Sequence, residues 1–242
     1  MTLYHGGKNR IGLDIATFIH SMVDILDKEN GIHFQGYVEP FVGMAGVYRH
    51  ISELFREYNF DYQASDINPS LILMWKDAQK GKSDKFPINV TQELFDKLKY
   101  DPKPSATKGL VGFANSYMGI YFTTFNVNYA KNTNTIKRVL DVGEKLENVQ
   151  FSCCNYDKFS NLKNHIIYCD PPYSKSSNYY DEDHRKMTFD HDTFWKWTIR
   201  MANQNLVLVS EYEVPEKYSN NIIEVWKQIS GKGMERLFLV IP

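Results

Sequence analysis

Asp170-Pro171-Pro172-Tyr173, preceded by the apolar run Ile166-Ile167-Tyr168-Cys169, is the strongest chemical signal in the sequence. Two prolines fix φ and remove two backbone donors. The turn therefore offers acceptors, the Asp170 carboxylate and the Pro171 carbonyl, beside the flat ring of Tyr173. A planar ring bearing an amino group suits such a turn. Two acceptors can take both amino hydrogens and draw the nitrogen lone pair out of conjugation while Tyr173 stacks on the ring. An electrophile placed in line is then attacked directly, and the protein's work is positioning and electrostatics. An Asp-Pro-Pro turn by itself could simply cap a strand. Its place after a buried strand, at the end where open α/β sheets bind ligands, favours the chemical reading.

Several elements must position that turn. Apolar residues at Ile11, Ile15, Phe18, Ile19, Met22, Val23 and Leu26 have helical spacing, and Gly31 is a stop signal. Tyr37 to Gly46 reads as a strand running into a glycine turn, Val47 to Phe60 as a helix, Tyr62 to Asn68 as a short strand ending on an acid, and Pro69 to Gln79 as a helix. The pattern loosens between Gly81 and Asn148. Strands are predicted again at Val149–Tyr156, Ile166–Cys169, Leu206–Ser210, Ile222–Ile229 and Leu237–Ile241, with a helix at Asp192–Ala202. Alternating strands and helices imply an α/β fold with a mostly parallel sheet. The last two strands have no helix between them and are expected to form an antiparallel hairpin at the sheet edge. Residues 1–75 and 146–242 would form one catalytic and cofactor-binding domain, with 76–145 as a small, mainly helical insertion.

The turn at Gly43 to Gly46 lets backbone approach a ligand closely. It is not Gly-x-Gly-x-x-Gly, which disfavours a nicotinamide-dependent oxidoreductase. Asp66 lies about twenty residues beyond, where an acid can hold ribose hydroxyls. It can also cap the helix at Asn68-Pro69, and the two roles are compatible.

Asp-Pro-Pro-Tyr resembles the catalytic motif of amino-group DNA methyltransferases, and the chain as a whole is similar to the Dam-like (D12 class) N6-adenine branch, with a flavour of phage-borne members. Tyr4-His5-Gly6-Gly7-Lys8 resembles that branch's N-terminal aromatic-x-Gly-Gly-Lys motif. Glu39-Pro40-Phe41-Val42-Gly43-Met44-Ala45-Gly46 resembles its cofactor loop, and Ser65-Asp66-Ile67-Asn68 its second strand end. Phe151 to Tyr156 resembles its Phe-x-x-x-Asp-Phe strand, with Asn155-Tyr156 in place of Asp-Phe. Ser210-Glu211-Tyr212 resembles a late strand end of the phage type.

The resemblance implies a Rossmann-like fold dependent on S-adenosylmethionine. Tyr4, Lys8, Glu39, Phe41, Gly43, Ala45, Gly46, Asp66, Ile67, Asn155, Tyr156 and Asp170 would bind the cofactor. Asp170, Pro171, Pro172 and Tyr173 would be catalytic. Asp66 would hold the cofactor's ribose. Glu39 would either orient the amino end of the methionine moiety or cap the loop. Asn155 can hydrogen-bond the cofactor's adenine but supplies no charge. Asp at the head of the motif favours adenine N6 as target over cytosine N4. A non-catalytic nucleic-acid-binding homologue is the reading from another class.

Net charge is −1, low for a dedicated nucleic-acid binder, so the distribution of charge matters. From Lys97 to Lys145 eight basic residues face three acids, with aromatics interleaved. That stretch is a candidate phosphate-contacting face, and Lys108, Asn115, Tyr117, Lys131, Lys137 and Arg138 are its candidate DNA-binding residues. Gly112 to Gly119 loosely resembles the family's Asn-x-x-Gly-x-Phe-Asn segment near DNA. An adenine inside a duplex must be turned out of the stack to be reached. Ser174 to Asp190, with Tyr179, Tyr180 and Phe189, is the candidate lid. Three cysteines, none in Cys-x-x-Cys, and no signal peptide or membrane-length apolar run predict a reduced, cytoplasmic protein. No histidine has metal-ligand spacing, so no metal is expected. A monomer or weak dimer in a phage or restriction–modification setting is the expected context.

Overall fold

The computed structural model describes residues 7–174, 188–230 and 233–242. Its centre is a seven-stranded sheet. In chain order the strands are β1 (Gly36–Glu39), β2 (Asp61–Asp66), β3 (Gln150–Cys153), β4 (His165–Cys169), β5 (Leu206–Ser210), β6 (Ile222–Ser230) and β7 (Gly233–Val240). Their spatial order is β3-β2-β1-β4-β5-β7-β6. The first five are parallel to their neighbours, and β7 runs antiparallel between β5 and β6. This is the Rossmann-like α/β architecture expected. The hairpin is antiparallel as expected, with β6 on the rim and β7 inside it.

Alternation along the strands builds two cores. Tyr37, Ile166, Tyr168, Leu206 and Leu208 face one side. Their neighbours Val38, Ile167, Cys169, Val207 and Val209 face the other. The first side is covered by α1 (Gly12–Asn30), α2 (Tyr48–Leu54) and α3 (Pro69–Gln79), and the second by α7 (His191–Ala202) through Phe194, Trp195, Trp197 and Met201. Strands buried on both faces read as near-continuous apolar runs, which is why β4 and β5 were visible in the sequence.

Helix α2 is shorter than the stretch Val47 to Phe60 suggests. It stops at Leu54, and Phe55, Tyr58 and Phe60 fold onto one another with ring centroids 5.0–5.5 Å apart. Aromatic spacing made by this cluster imitates a helical face. By contrast, α3 starts and ends where expected, because Asn68 caps it by accepting from the Leu71 N–H at 2.9 Å and Pro69 opens it.

The middle of the chain contains α4 (Gln92–Tyr100), α5 (Ala106–Ala114) and α6 (Thr133–Lys145). Helix α5 lies directly on α3. A Cβ on Gly109 would come within 2.2 Å of the Ser70 carbonyl oxygen, so only glycine permits this approach. Leu110, Val111, Phe122, Ile136 and Val139 join the same hydrophobic cluster as Leu71 and Trp75. The middle segment is therefore welded to the β1–α3 half of the sheet by a shared core. Among the described residues no helix is long and apolar enough to cross a membrane.

Candidate active site

Every parallel strand except β3 ends in, or is followed at once by, an acid. Glu39 closes β1, Asp66 closes β2, Asp170 follows β4 and Glu211 follows β5. Cys154-Asn155 follows β3. All lie at the carboxyl ends of the strands, and β1 and β4, where the strand order reverses, sit at the centre of the arc.

Lys8 is the cation of this arc. Its side chain is 4% exposed, and Nζ donates to Asp170 Oδ1 at 2.8 Å and to the Tyr173 hydroxyl at 2.6 Å. Glu235 Oε2 is 3.6 Å from the same ammonium and accepts from the Tyr173 hydroxyl at 3.1 Å. Burial pulls the Lys8 pKa down, but Asp170 and Glu235 outweigh it and leave it raised, so Lys8 is charged. Asp170 is likewise raised, burial outpulling the Lys8 ammonium. The Tyr173 ring lies 4.5 Å from that of Tyr212 at 75°. Tyr212 belongs to the Ser210-Glu211-Tyr212 strand end, whereas Glu235 carries no motif in the sequence. Glu235 lies two residues before the predicted strand Leu237–Ile241 and reads as an ordinary charged residue.

The lysine's backbone is held against the glycine turn. A Cβ on Gly46 would stand 3.0 Å from the Lys8 nitrogen, and one on Gly12, at the start of α1, would meet the Gly46 oxygen at 2.0 Å. The turn itself is pinned from below. The Val42 N–H donates to the Ser65 carbonyl at 2.9 Å, the Ser65 hydroxyl donates to the Pro40 carbonyl at 3.1 Å, and the Trp75 indole N–H donates to the Gly43 carbonyl at 2.8 Å. Gly43 and Ala45 both have left-handed backbone, at φ 47° and 52°.

Asp66 accepts from the Gly43 N–H at 3.3 Å and the Asn68 N–H at 2.9 Å. Burial still prevails over these bonds and pushes its pKa up to about 6. Ile67 beside it is 47% exposed, a flat apolar surface next to the acid. Glu39 is 2% exposed, accepts from the Tyr37 hydroxyl at 2.7 Å, and is pushed well above the usual carboxylate range by burial. Glu211 is 2% exposed. One oxygen accepts from the Ser174 N–H and hydroxyl, at 2.9 and 2.8 Å, and the other is buried with no partner among the described residues. Burial raises its pKa to about 7.

Phe41 and Tyr156 form an aromatic cluster with Phe189 and Phe194, centroids 5.4–6.0 Å apart. Asn155 is exposed and its side-chain oxygen accepts from the Tyr156 N–H at 2.8 Å. Tyr4 lies outside the described residues, as does most of the lid segment, Tyr179 and Tyr180 included. Phe189, the described end of that segment, lies against Phe41.

Two of the residues expected to meet DNA do internal work instead. Lys108 is 1% exposed and its ammonium donates to the Asp101 carbonyl at 2.7 Å, because α5 turns it into the protein. Asn115 is fully buried. It exchanges side-chain amide hydrogen bonds with Asn132 at 3.2 and 3.0 Å, and its amide also donates to the Tyr129 carbonyl at 2.5 Å. This pair clasps the base of the loop between α5 and α6. Tyr117 and Lys131 stand exposed on that loop, and Lys137 and Arg138 on the outer face of α6.

A family model of D12 class N6 adenine-specific DNA methyltransferases matches residues 109–230. The chain belongs to that family, and its sheet is the Rossmann-like fold of S-adenosylmethionine-dependent methyltransferases. No curated protein sequence matches it. Among solved structures it is similar to the rRNA methyltransferase AviRa from Streptomyces viridochromogenes (11% identity, 94% of this chain and 84% of that one, TM-score 0.43). It is also similar to the putative methyltransferase YhhF from Escherichia coli (10%, 92% and 85%, 0.35) and a putative RNA methyltransferase from Pyrococcus horikoshii (9%, 94% and 84%, 0.39). Likenesses this distant say nothing of substrate.

Proposed function

We propose that this chain methylates N6 of adenine in DNA, using S-adenosylmethionine, on a base turned out of the duplex. The observation that carries the reading is Lys8 joining Asp170 to Tyr173 across the chain within a D12 family fold. Asp170 keeps 20% of its side chain exposed, so it can still accept from an amino group. Lys8 holds that carboxylate in a single orientation, and the Pro171 carbonyl supplies the second acceptor. The two acceptors orient the amino nitrogen and sharpen its lone pair.

The residues at the strand ends fit the cofactor. Asp66 has acceptor capacity for ribose hydroxyls and lies against the Gly43 turn. Ile67 offers an apolar face, and the carboxylates around Lys8 suit a cationic sulfur. When bound, S-adenosylmethionine supplies the electrophilic methyl group. Residues 76–145 are the proposed recognition segment, with Tyr117, Lys131, Lys137 and Arg138 toward the phosphates and bases.

The test uses methyl-labelled cofactor and DNA digested to nucleosides. Label in N6-methyladenine is expected, and Asp170→Ala should nearly abolish it while cofactor binding stays measurable. Label in N4-methylcytosine, no label, or near-normal turnover by the variant would overturn the reading.

A further inference from the structure

The chain places two carboxylates, not one, against its buried ammonium. Asp170 comes from the catalytic motif. Glu235 comes from β7 and is 8% exposed as a residue. Its position follows from sheet topology. Strand β7 runs antiparallel, so its first residues lie at the carboxyl ends of the parallel strands. The register pairs Leu237 with Ser210, the last residue of β5. Glu235, two residues earlier, therefore projects beyond that strand end on the same face as Leu237. There it reaches both Lys8 and the Tyr173 hydroxyl.

Counting charge in this enclosed space gives an imbalance. One ammonium, that of Lys8, stands against two carboxyl groups, those of Asp170 and Glu235. Burial raises the pKa of both Glu39 and Glu211 and so disfavours charge on either. Two carboxyl groups against one ammonium leave a formal surplus of one negative charge among the described residues, where low polarizability makes it count.

Building on the methyltransferase reading, we infer that Glu235 is a positioning and specificity residue: it orients Tyr173 and supplies the surplus negative charge that favours the cationic sulfonium of the cofactor over the neutral thioether of the product. The discrimination acts on exchange after each turnover. It lets fresh cofactor displace spent S-adenosylhomocysteine, which carries the same adenosine and amino acid groups.

Calorimetric titration of wild-type protein, Glu235→Gln and Glu235→Asp with S-adenosylmethionine and S-adenosylhomocysteine tests this. Glu235→Gln keeps an acceptor for Tyr173 but removes the charge. It should lower affinity for the sulfonium form roughly fivefold or more relative to the thioether. Glu235→Asp keeps the charge and should retain the wild-type ratio, even where its altered reach slows turnover. Equal weakening of both ligands by Glu235→Gln, or loss of the ratio in Glu235→Asp, would overturn the inference. If Glu235→Gln fails to fold, as thermal unfolding would reveal, Glu235→Ala, which also removes the charge, is titrated in its place, and an unchanged ratio there overturns the inference. Wild-type protein that binds neither ligand would instead overturn the methyltransferase reading itself.

Discussion

The ammonium of Lys8 lies 2.8 Å from the carboxylate of Asp170, 162 residues away in sequence, with the lysine buried and the acid 20% exposed. Lys8→Met removes the cation that, among the described residues, faces both Asp170 and Glu235. Breaking a buried pair by deleting one partner costs about 3–5 kcal/mol. The sign of its pH dependence is fixed. Without Lys8, the folded-state pKa of Asp170 rises further above its unfolded value. Stability is then present at low pH, where the acid is neutral, and is lost as pH rises through the folded pKa. Thermal unfolding of Lys8→Met should therefore show a larger deficit against wild type near pH 8 than near pH 5. An equal deficit at both would contradict the pairing.

Asp66 gives a second pH signature. Its pKa of about 6 means the carboxylate begins to protonate just below neutrality. A protonated acid loses acceptor capacity for ribose hydroxyls. Affinity for S-adenosylmethionine should be flat above neutral pH and fall as pH drops below about 6, approaching tenfold per unit. Asp66→Asn should bind more weakly and lose that slope. A slope that persists in Asp66→Asn belongs to another group.

Gly12 opens a helix, where alanine ordinarily stabilises by about 1 kcal/mol. Here the sign should invert. The added Cβ would meet the Gly46 carbonyl oxygen at 2.0 Å, and backbone cannot give way as a side chain can. Gly12→Ala should destabilise by about 1–3 kcal/mol and weaken cofactor binding by moving the turn. Chemical denaturation and a cofactor titration check the two effects separately.

The exposed cations of the middle segment should behave differently from the buried one. Alanine at Lys131, Lys137 or Arg138 should weaken DNA binding without loss of stability. Each phosphate contact removed should reduce the slope of log affinity against log salt by about 1. Lys108→Ala should lower the melting temperature instead, since it strips a donor from the Asp101 carbonyl in the interior. A Lys108→Ala protein of normal stability and reduced salt slope would reverse this assignment.

The parts of the site that were legible in the sequence are those whose local chemistry is self-contained. Asp170 to Tyr173 announces itself because prolines, acid and ring are contiguous and follow a strand buried on both faces. Helix α3 was legible at its start through Pro69, although its cap is Asn68 and not Asp66, the acid that the sequence offered for that role. Glu235 was not, since its importance comes from a strand direction and a register two residues past Leu237, neither of which leaves a local mark. Lys108 and Asn115 misled for a related reason. A lysine or asparagine in a basic, aromatic-rich stretch looks like surface, and only packing of α5 on α3 reveals that both point inward. The Phe55–Phe60 cluster misled through spacing alone.

The position of β7 inside the sheet bears on synthesis. Lys8 leaves the ribosome first, Asp170 follows after most of the chain, and Glu235 comes last. The cluster around the ammonium is therefore complete only when the β6–β7 hairpin slots beside β5. Contacts spanning nearly the whole chain slow folding. Until they form, β5 presents a bare edge to the cell, so the step that completes the charge cluster is also the step that protects the nascent protein from pairing with its neighbours.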